Sequence, residues 1–343
     1  MQNQPSEGNG AASDRRPGVS AVIPAYNAEK TIERALNSVL AQTYANIVDV
    51  IVVDDGSGDD TAAVVRERFP EVTLIQQENA GNGAARNTGV REAQGELLAF
   101  LDADDEWLPE KIAVQAEEMT QFPGCAMSIS GQLTLLAGEG VESHAPAERD
   151  ECLNFLTFRD IVAEGALPPD IFACCSGWVY RTEIFRELGG FSSELRRCVD
   201  EEMLMRTTSR GYTVLAISRR LYVRYLRPES VSRGPEAVQK GPATKACVIE
   251  RYAPDADNPR GRILSPEEYD LYLKRVFIAG AERQLADGYV TEAREMLRNT
   301  SAHPTRSRSL ARRIRALRAL SYLGGPVCRT LGSIYRAVRG SKS

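Results

Sequence analysis

Asp102, Asp104 and Asp105 fall within four residues of "FLDADDEWLP" (100–109), directly behind an apolar run. Two like charges about 4 Å apart repel by roughly 1 kcal/mol in water, and by several times that where water is partly excluded. Such a cluster calls for a cation or a solvated turn. A second acidic stretch, "DDGSGDD" (54–60), brings Asp54 and Asp55 to the end of another apolar run. Hard cations such as Mg²⁺ take oxygen ligands, often one or two protein carboxylates completed by water and substrate phosphates. An Asp-x-Asp element at a strand end therefore suits a divalent ion beside a diphosphate. The plainer reading is a helix start, because Pro109 fits a first turn and Asp104 to Glu106 would favour its dipole. That reading leaves Asp102 and the neighbouring acidic stretch unexplained.

The segments that must position these acids are short and apolar. "VSAVIP", "VDVIVV", "VTLI" and "ELLAFL" read as strands, and the stretches between them carry helical spacing. Ile32, Ala35, Leu36, Val39 and Leu40 follow one helix face. The order β-α-β-α-β-α-β with continuous apolar strands predicts an α/β fold, a mainly parallel sheet flanked by helices, whose ligand crevice lies beyond the carboxyl ends of the strands. Further on, "FACCSGWVY" (172–180) reads as a buried strand, "RTEIFRELGGF" and "DEEMLMRTTSRGY" as helices ended by glycine, and "TVLAI" and "LYVRYL" as two more strands. After about residue 240 the pattern turns helical. The expected organisation is a disordered leader over 1–17, a catalytic domain over 18–240 and a C-terminal α-helical appendage over 241–343.

Composition narrows the function classes. The 343 residues carry a net charge of -5, and no stretch approaches the roughly 20 apolar residues of a membrane span. Seven cysteines show no CxxC pair, and with only two histidines they read as reduced, structural thiols in a cytoplasmic protein. "GNGAAR" (81–86) starts like a dinucleotide fingerprint, but its sixth residue is arginine and it follows the third strand instead of the first. From His303 onward there is no acid, while ten arginine and lysine residues fall there, so the body is acidic and the tail basic. Nucleic acid is excluded as a partner because no recognition module accompanies that charge.

Four ordered stretches carry a resemblance. "VSAVIPAYNAEKTIERALNSVLAQTY", "VIVVDDGSGDDT", "ENAGNGAARNTGVREAQGELLAFLDADDEWLPEKI" and "GGFSSELRRCVDEEMLMRTTSRGY" are similar to the family-two glycosyltransferases, inverting enzymes of the GT-A fold, over roughly residues 18 to 235. The resemblance implies a nucleotide-diphospho-sugar donor, most simply UDP-linked, and a divalent metal, Mn²⁺ or Mg²⁺. It places Pro24 and Tyr26 along the nucleotide base, Asp55 in a hydrogen bond to that base, and Arg86 near base and phosphates. Asp102 would face the ribose and Asp104 would bind the metal. Asp200, at the start of the helix after "GGF", would be the general base on an acceptor hydroxyl; a plain helix-capping carboxylate is the alternative, with Glu201 and Glu202 beside it.

Two positions depart from that pattern. Val199 stands where an acid usually precedes the base, and Arg227 stands where a histidine often lies near the metal, so either the arginine contacts the diphosphate or the metal keeps an extra water. These departures also motivate a second reading, a sugar-nucleotide binding or scaffold protein that has lost its chemistry. Trp178 matches a strand lining the acceptor side, where it would stack on a sugar ring or else sit in the core. The acceptor implied is a carbohydrate or lipid-linked glycan of surface polysaccharide or glycoconjugate synthesis. "SLARRIRALRALSYLGG" sets Leu310, Ile314, Leu317 and Leu320 along one helix side among arginines. Such a basic amphipathic helix either lies peripherally on the anionic inner face of a membrane or packs on the preceding helices.

Overall fold

The computed structural model describes residues 16–136, 153–156, 174–195, 198–226, 266–301 and 308–322. The expected domain boundary near residue 240 and most of the leader lie outside these residues, as does Arg227. The first half alternates strands and helices: β1 (Val19–Ala25), α1 (Ile32–Leu40), β2 (Ile47–Asp54), α2 (Thr61–Arg68), β3 (Thr73–Gln76), α3 (Asn82–Glu92) and β4 (Leu97–Phe100). These four strands pair with one another in parallel. All seven residues of β1 are buried, as a strand covered on both faces by helices requires. In α1, Ile32, Ala35, Leu36 and Val39 are buried as their spacing predicts, whereas Leu40, the last residue of the helix, is 46% exposed.

The second half is mixed. It contributes β5 (Glu106–Trp107), α4 (Lys111–Gln121), β6 (Cys125–Leu136), β7 (Leu153–Leu156), β8 (Trp178–Arg181), α5 (Thr182–Glu187), α6 (Val199–Ser209) and β9 (Thr213–Leu226). Strand β8 runs antiparallel to both β4 and β6, while β6 and β9 are parallel. Among the described residues the sheet order is β3-β2-β1-β4-β8-β6-β9-β5, with β7 also on β9. The sheet is thus parallel in its first half and mixed in its second, where a mainly parallel sheet was expected. Two other expectations change. "FACCSGWVY" becomes a turn at Cys175–Gly177 before the short β8. "TVLAI" and "LYVRYL" form a single strand with an irregularity, because Ile217 pairs with Ser130 but Arg220 with Gly131. The extra residues fit since Gly131 lies against the Ser218 carbonyl, which a Cβ would approach to 2.7 Å.

The remaining described helices are α7 (Pro266–Asp287), α8 (Val290–Asn299) and α9 (Arg308–Leu320). Their buried residues, Phe277, Ile278, Leu285, Met296, Ile314 and Leu317, belong to the same apolar cluster as Phe100, Met203 and Val214 of the sheet and α6. The amphipathic tail helix therefore turns its apolar side inward. Among the described residues no helix is long and apolar enough to cross a membrane.

Candidate active site

The chain leaves β1 toward β2 and β3 on one side, then crosses to β4 on the other. Such a reversal opens a crevice at the carboxyl ends of the two strands, the usual ligand position in sheets of this kind. Pairing of β1 with β4 ends at Val22 and Phe100, while pairing with β2 continues to Ala25 and Asp54. The Val22 carbonyl accepts from the Leu101 amide, so even-numbered residues of β1 face β4. Pro24 sits on that side just past the last pair, where its missing N–H leaves no ladder bond broken. It is itself buried, while Tyr26, the residue that follows the carboxyl end of β1, is 52% exposed.

The acids of "DDGSGDD" are largely spent on backbone. Asp54 accepts from the Ser57 amide at 3.0 Å and from Gln76 at 3.1 Å. Asp55, 1% exposed, accepts from Gln77 (2.7 Å) and from the amides of Ala80 (2.9 Å) and Gly81 (2.8 Å). Both its oxygens are engaged, so Asp55 holds the loop between β3 and α3, and these three bonds leave one of a carboxylate's roughly four lone-pair sites for its expected hydrogen bond to a base. Asp59 accepts from the Thr61 amide and hydroxyl at the start of α2.

The acids after β4 are arranged differently. The run does not open a helix: Glu106 and Trp107 pair with Val223 and Tyr222 of β9, and α4 begins only at Lys111. Ser176 accepts from the Asp102 amide (3.1 Å) and donates to the buried Asp105 (2.6 Å), which also accepts from the Tyr225 amide at 3.3 Å. Burial, reinforced by the charges of Asp104 and Asp102, holds the Asp105 carboxyl well above the usual carboxylate range. Arg34 donates to the Asp104 carbonyl at 2.6 Å and lies 3.7 Å over the Tyr225 ring, fixing the turn from outside.

Arg86 joins this cluster to the far side of the crevice. Its guanidinium, 2% exposed, is bonded to Asp102 and lies 3.5 Å from Asp200. Asp102 and Asp200 keep 26% and 22% of their side chains exposed. Asp200 is the second residue of α6, whose cap is Cys198 in a left-handed conformation (φ 57°), and no side-chain capping bond is made there. The capping alternative for Asp200 therefore fails. Burial pushes its carboxyl up to about 6 against the pull of Arg86, and Asp102 adds to the rise. The fully buried Cys175 thiol hydrogen-bonds the same carboxylate.

The rest of "ARNTG" is scaffold. Asn87 clamps Phe191, donating to its carbonyl and accepting from its amide, both at 2.8 Å. Gly190 makes the turn before it with φ 72°, and a Cβ there would meet Asn87 Oδ1 at 2.6 Å. Thr88 donates to Gln77 at 2.6 Å. Arg86 is 2% exposed, and its link to the crevice runs through the carboxylates it holds. Of the two readings for Trp178 the core one holds: it is wholly buried and stacks on Phe191 at 6.3 Å. Asn87, Ser176, Cys175 and Arg34 went unassigned from sequence; only the adjacency of Asn87 to Arg86 and of Cys175 and Ser176 to Trp178 pointed to them.

Two kinds of donor lie near the end of β4 for a cation. Asp102, Asp105 and Cys174 offer ligand atoms within 4.8 Å of one another. Burial pushes the Cys174 thiol up, keeping it protonated and a poor partner for a hard ion. The oxygens of Asp102 and Asp104, both partly exposed at the end of β4, suit Mg²⁺ or Mn²⁺.

Residues 20–189 match the family described as Glycosyl transferase family 2. Over 103 residues the chain is 44% identical to the UDP-Glc:alpha-D-GlcNAc-diphosphoundecaprenol beta-1,3-glucosyltransferase WfgD of Escherichia coli, covering 29% of this chain and 40% of that one. The first curated relatives are matched over only 30% to 64% of their own length. Among solved structures, S. aureus TarS 1–349 with UDP-GlcNAc superposes with a TM-score of 0.62 at 21% identity, covering 93% of this chain and 92% of that one. The mannosyltransferase PcManGT from Pyrobaculum calidifontis, in complex with GDP-Man and Mn²⁺, gives 0.55 at 19% identity, covering 96% and 87%. At these identities the likeness is one of fold.

Proposed function

The chain belongs to glycosyl transferase family 2 through residues 20–189, and from that footing we propose that it is an inverting enzyme moving a sugar from a nucleotide diphosphate, UDP first among donors, to a carbohydrate or lipid-linked acceptor. The observation that carries this reading is the pair of partly exposed carboxylates, Asp102 and Asp200, joined by one buried arginine across the switch-point crevice. WfgD, whose name specifies a diphosphoundecaprenol-linked acceptor, supports an acceptor of that class here, in surface polysaccharide or glycoconjugate synthesis.

In the proposed reaction Asp200 takes the proton of an acceptor hydroxyl, whose oxygen attacks the anomeric carbon from the side opposite the leaving group. The bond from that carbon to the diphosphate oxygen breaks with its electron pair, and the configuration inverts. A carboxyl titrating near 6 is mostly ionised at neutral pH yet more basic than an ordinary aspartate. Asp102 orients the donor through its ribose, with Tyr26 at the base. Asp104, beside Asp102, would hold the divalent ion, which when bound offsets the negative charge of the departing diphosphate. Arg227, outside the described residues, is assigned to the diphosphate as well.

Purified protein is incubated with UDP-glucose, UDP-N-acetylglucosamine and GDP-mannose, each with Mn²⁺ or Mg²⁺ and glycan or undecaprenyl-diphosphate-linked acceptors. Transfer with inverted configuration, abolished by EDTA and restored by the ion, is expected. Binding of donor without turnover would favour a non-catalytic binding protein, and neither binding nor transfer would remove the reading.

A peripheral membrane position accompanies this proposal. Arg312 and Arg315 of α9 are exposed while Ile314 and Leu317 are buried. Contact with lipid would therefore be through charge, at about 1 kcal/mol per cation near an anionic surface, without insertion of the helix.

A further inference from the structure

We propose that Arg86 is a positioning residue that couples the donor side of the crevice to the base, one buried guanidinium holding Asp102 and Asp200 together. The inference rests on the roles given above to those two carboxylates. Arg86 comes from α3, while its partners lie 16 and 114 residues away in sequence, on β4's end and α6. It is 2% exposed, so neither donor nor acceptor reaches it directly. Its hold is uneven: Nη2 is tightly bonded to Asp102, whereas Nη1 stands 3.5 Å from Asp200.

The third side of the guanidinium is slack. Nε is buried without a hydrogen-bond partner, and the plane's other neighbour is the Phe191 ring, 5.3 Å away. Among the described residues no further acceptor is hydrogen-bonded to the group, so its balance between the two carboxylates, beside the Cys175 thiol, decides its position. A ribose hydroxyl that engages Asp102 competes for that carboxylate and turns the guanidinium toward Asp200, orienting the base only once donor is seated. A lysine cannot substitute, since an ammonium is a point charge that does not span two carboxylates as a planar fork does.

The test uses the full chain and whichever of UDP-glucose, UDP-N-acetylglucosamine or GDP-mannose is turned over, together with its 2′,3′-dideoxyribose analogue. For Arg86→Lys the expected result is a fall in kcat of about tenfold or more with donor KM within about threefold. The analogue should lower kcat, and not only raise KM, in the parent enzyme, and that kcat difference should vanish in Arg86→Lys. A raised donor KM at unchanged kcat in Arg86→Lys would make Arg86 a donor ligand and overturn the proposal. If Arg86→Lys does not fold, the analogue with the parent decides: a loss confined to KM overturns the coupling, a loss in kcat supports it. Absence of turnover with every donor refutes the enzymatic reading itself, a different result from turnover that ignores Arg86.

Discussion

Asp200 is an acid whose surroundings, more than its identity, suit it to take a proton. Because burial raises its titration to about 6, the base proposed here would be active above that pH and lost as pH falls through it. The profile of kcat/KM for the parent enzyme should therefore show an acid limb near pH 6. Asp200→Asn should lose about 10² to 10⁴ in kcat, lack that limb, and bind donor with an affinity close to the parent's by calorimetry. Retention of the limb in Asp200→Asn would assign it to another group. Asp55 shows a different case, a buried acid whose oxygens also hold the loop after β3 through Gln77, Ala80 and Gly81.

At the scale of elements, α3 is the part on which the crevice is assembled. Successive residues Arg86, Asn87 and Thr88 fasten β4's end, the turn before α6 and the loop after β3. Asn87→Ala leaves both Phe191 backbone groups without their partner, and we expect a loss of about 1–3 kcal/mol of stability, measured by denaturant unfolding. Helix α4 contributes a different effect. Lys111, its first residue, is wholly buried over the Trp107 ring with no ion pair, and burial holds its amine well below the usual lysine range. The unfolded chain holds a proton there more tightly than the folded one, so stability grows as pH rises toward the ordinary lysine value of about 10.4. Lys111→Met should accordingly be more stable than the parent by about 1–3 kcal/mol at pH 7, with the gap closing in alkaline buffer.

For the whole molecule, the helices after residue 265 share one apolar cluster with the sheet. Arg313 pairs with Glu282 across α7 and α9, and Arg318 donates to the Leu297 carbonyl at 2.9 Å. The two sides of α9 should then separate experimentally. Ile314→Asp places a charge in the cluster and should lower the melting temperature, by about 2–4 kcal/mol of stability. The double substitution Arg312→Glu and Arg315→Glu should leave melting nearly unchanged yet weaken co-sedimentation with phosphatidylglycerol vesicles, more so in low salt than in high. Equal sedimentation of parent and double variant would remove α9 from any membrane contact.

The sequence by itself determined the alternating strands and helices of the first half, because apolar periodicity is a local property that one buried face imposes on its own segment. It also determined which residues were chemically able to act, including Asp102, Asp104 and Asp200. Only the tertiary structure decided their use. Partners such as Arg86 and Asp200 lie 114 residues apart, and a side chain's exposure depends on elements that pack over it, which turned Trp178 inward and committed Asp55 to a loop. The reversal of direction in the second half of the sheet was hidden for the same reason: a strand's apolar pattern records that it is covered, and says nothing of which neighbour covers it or in which direction that neighbour runs.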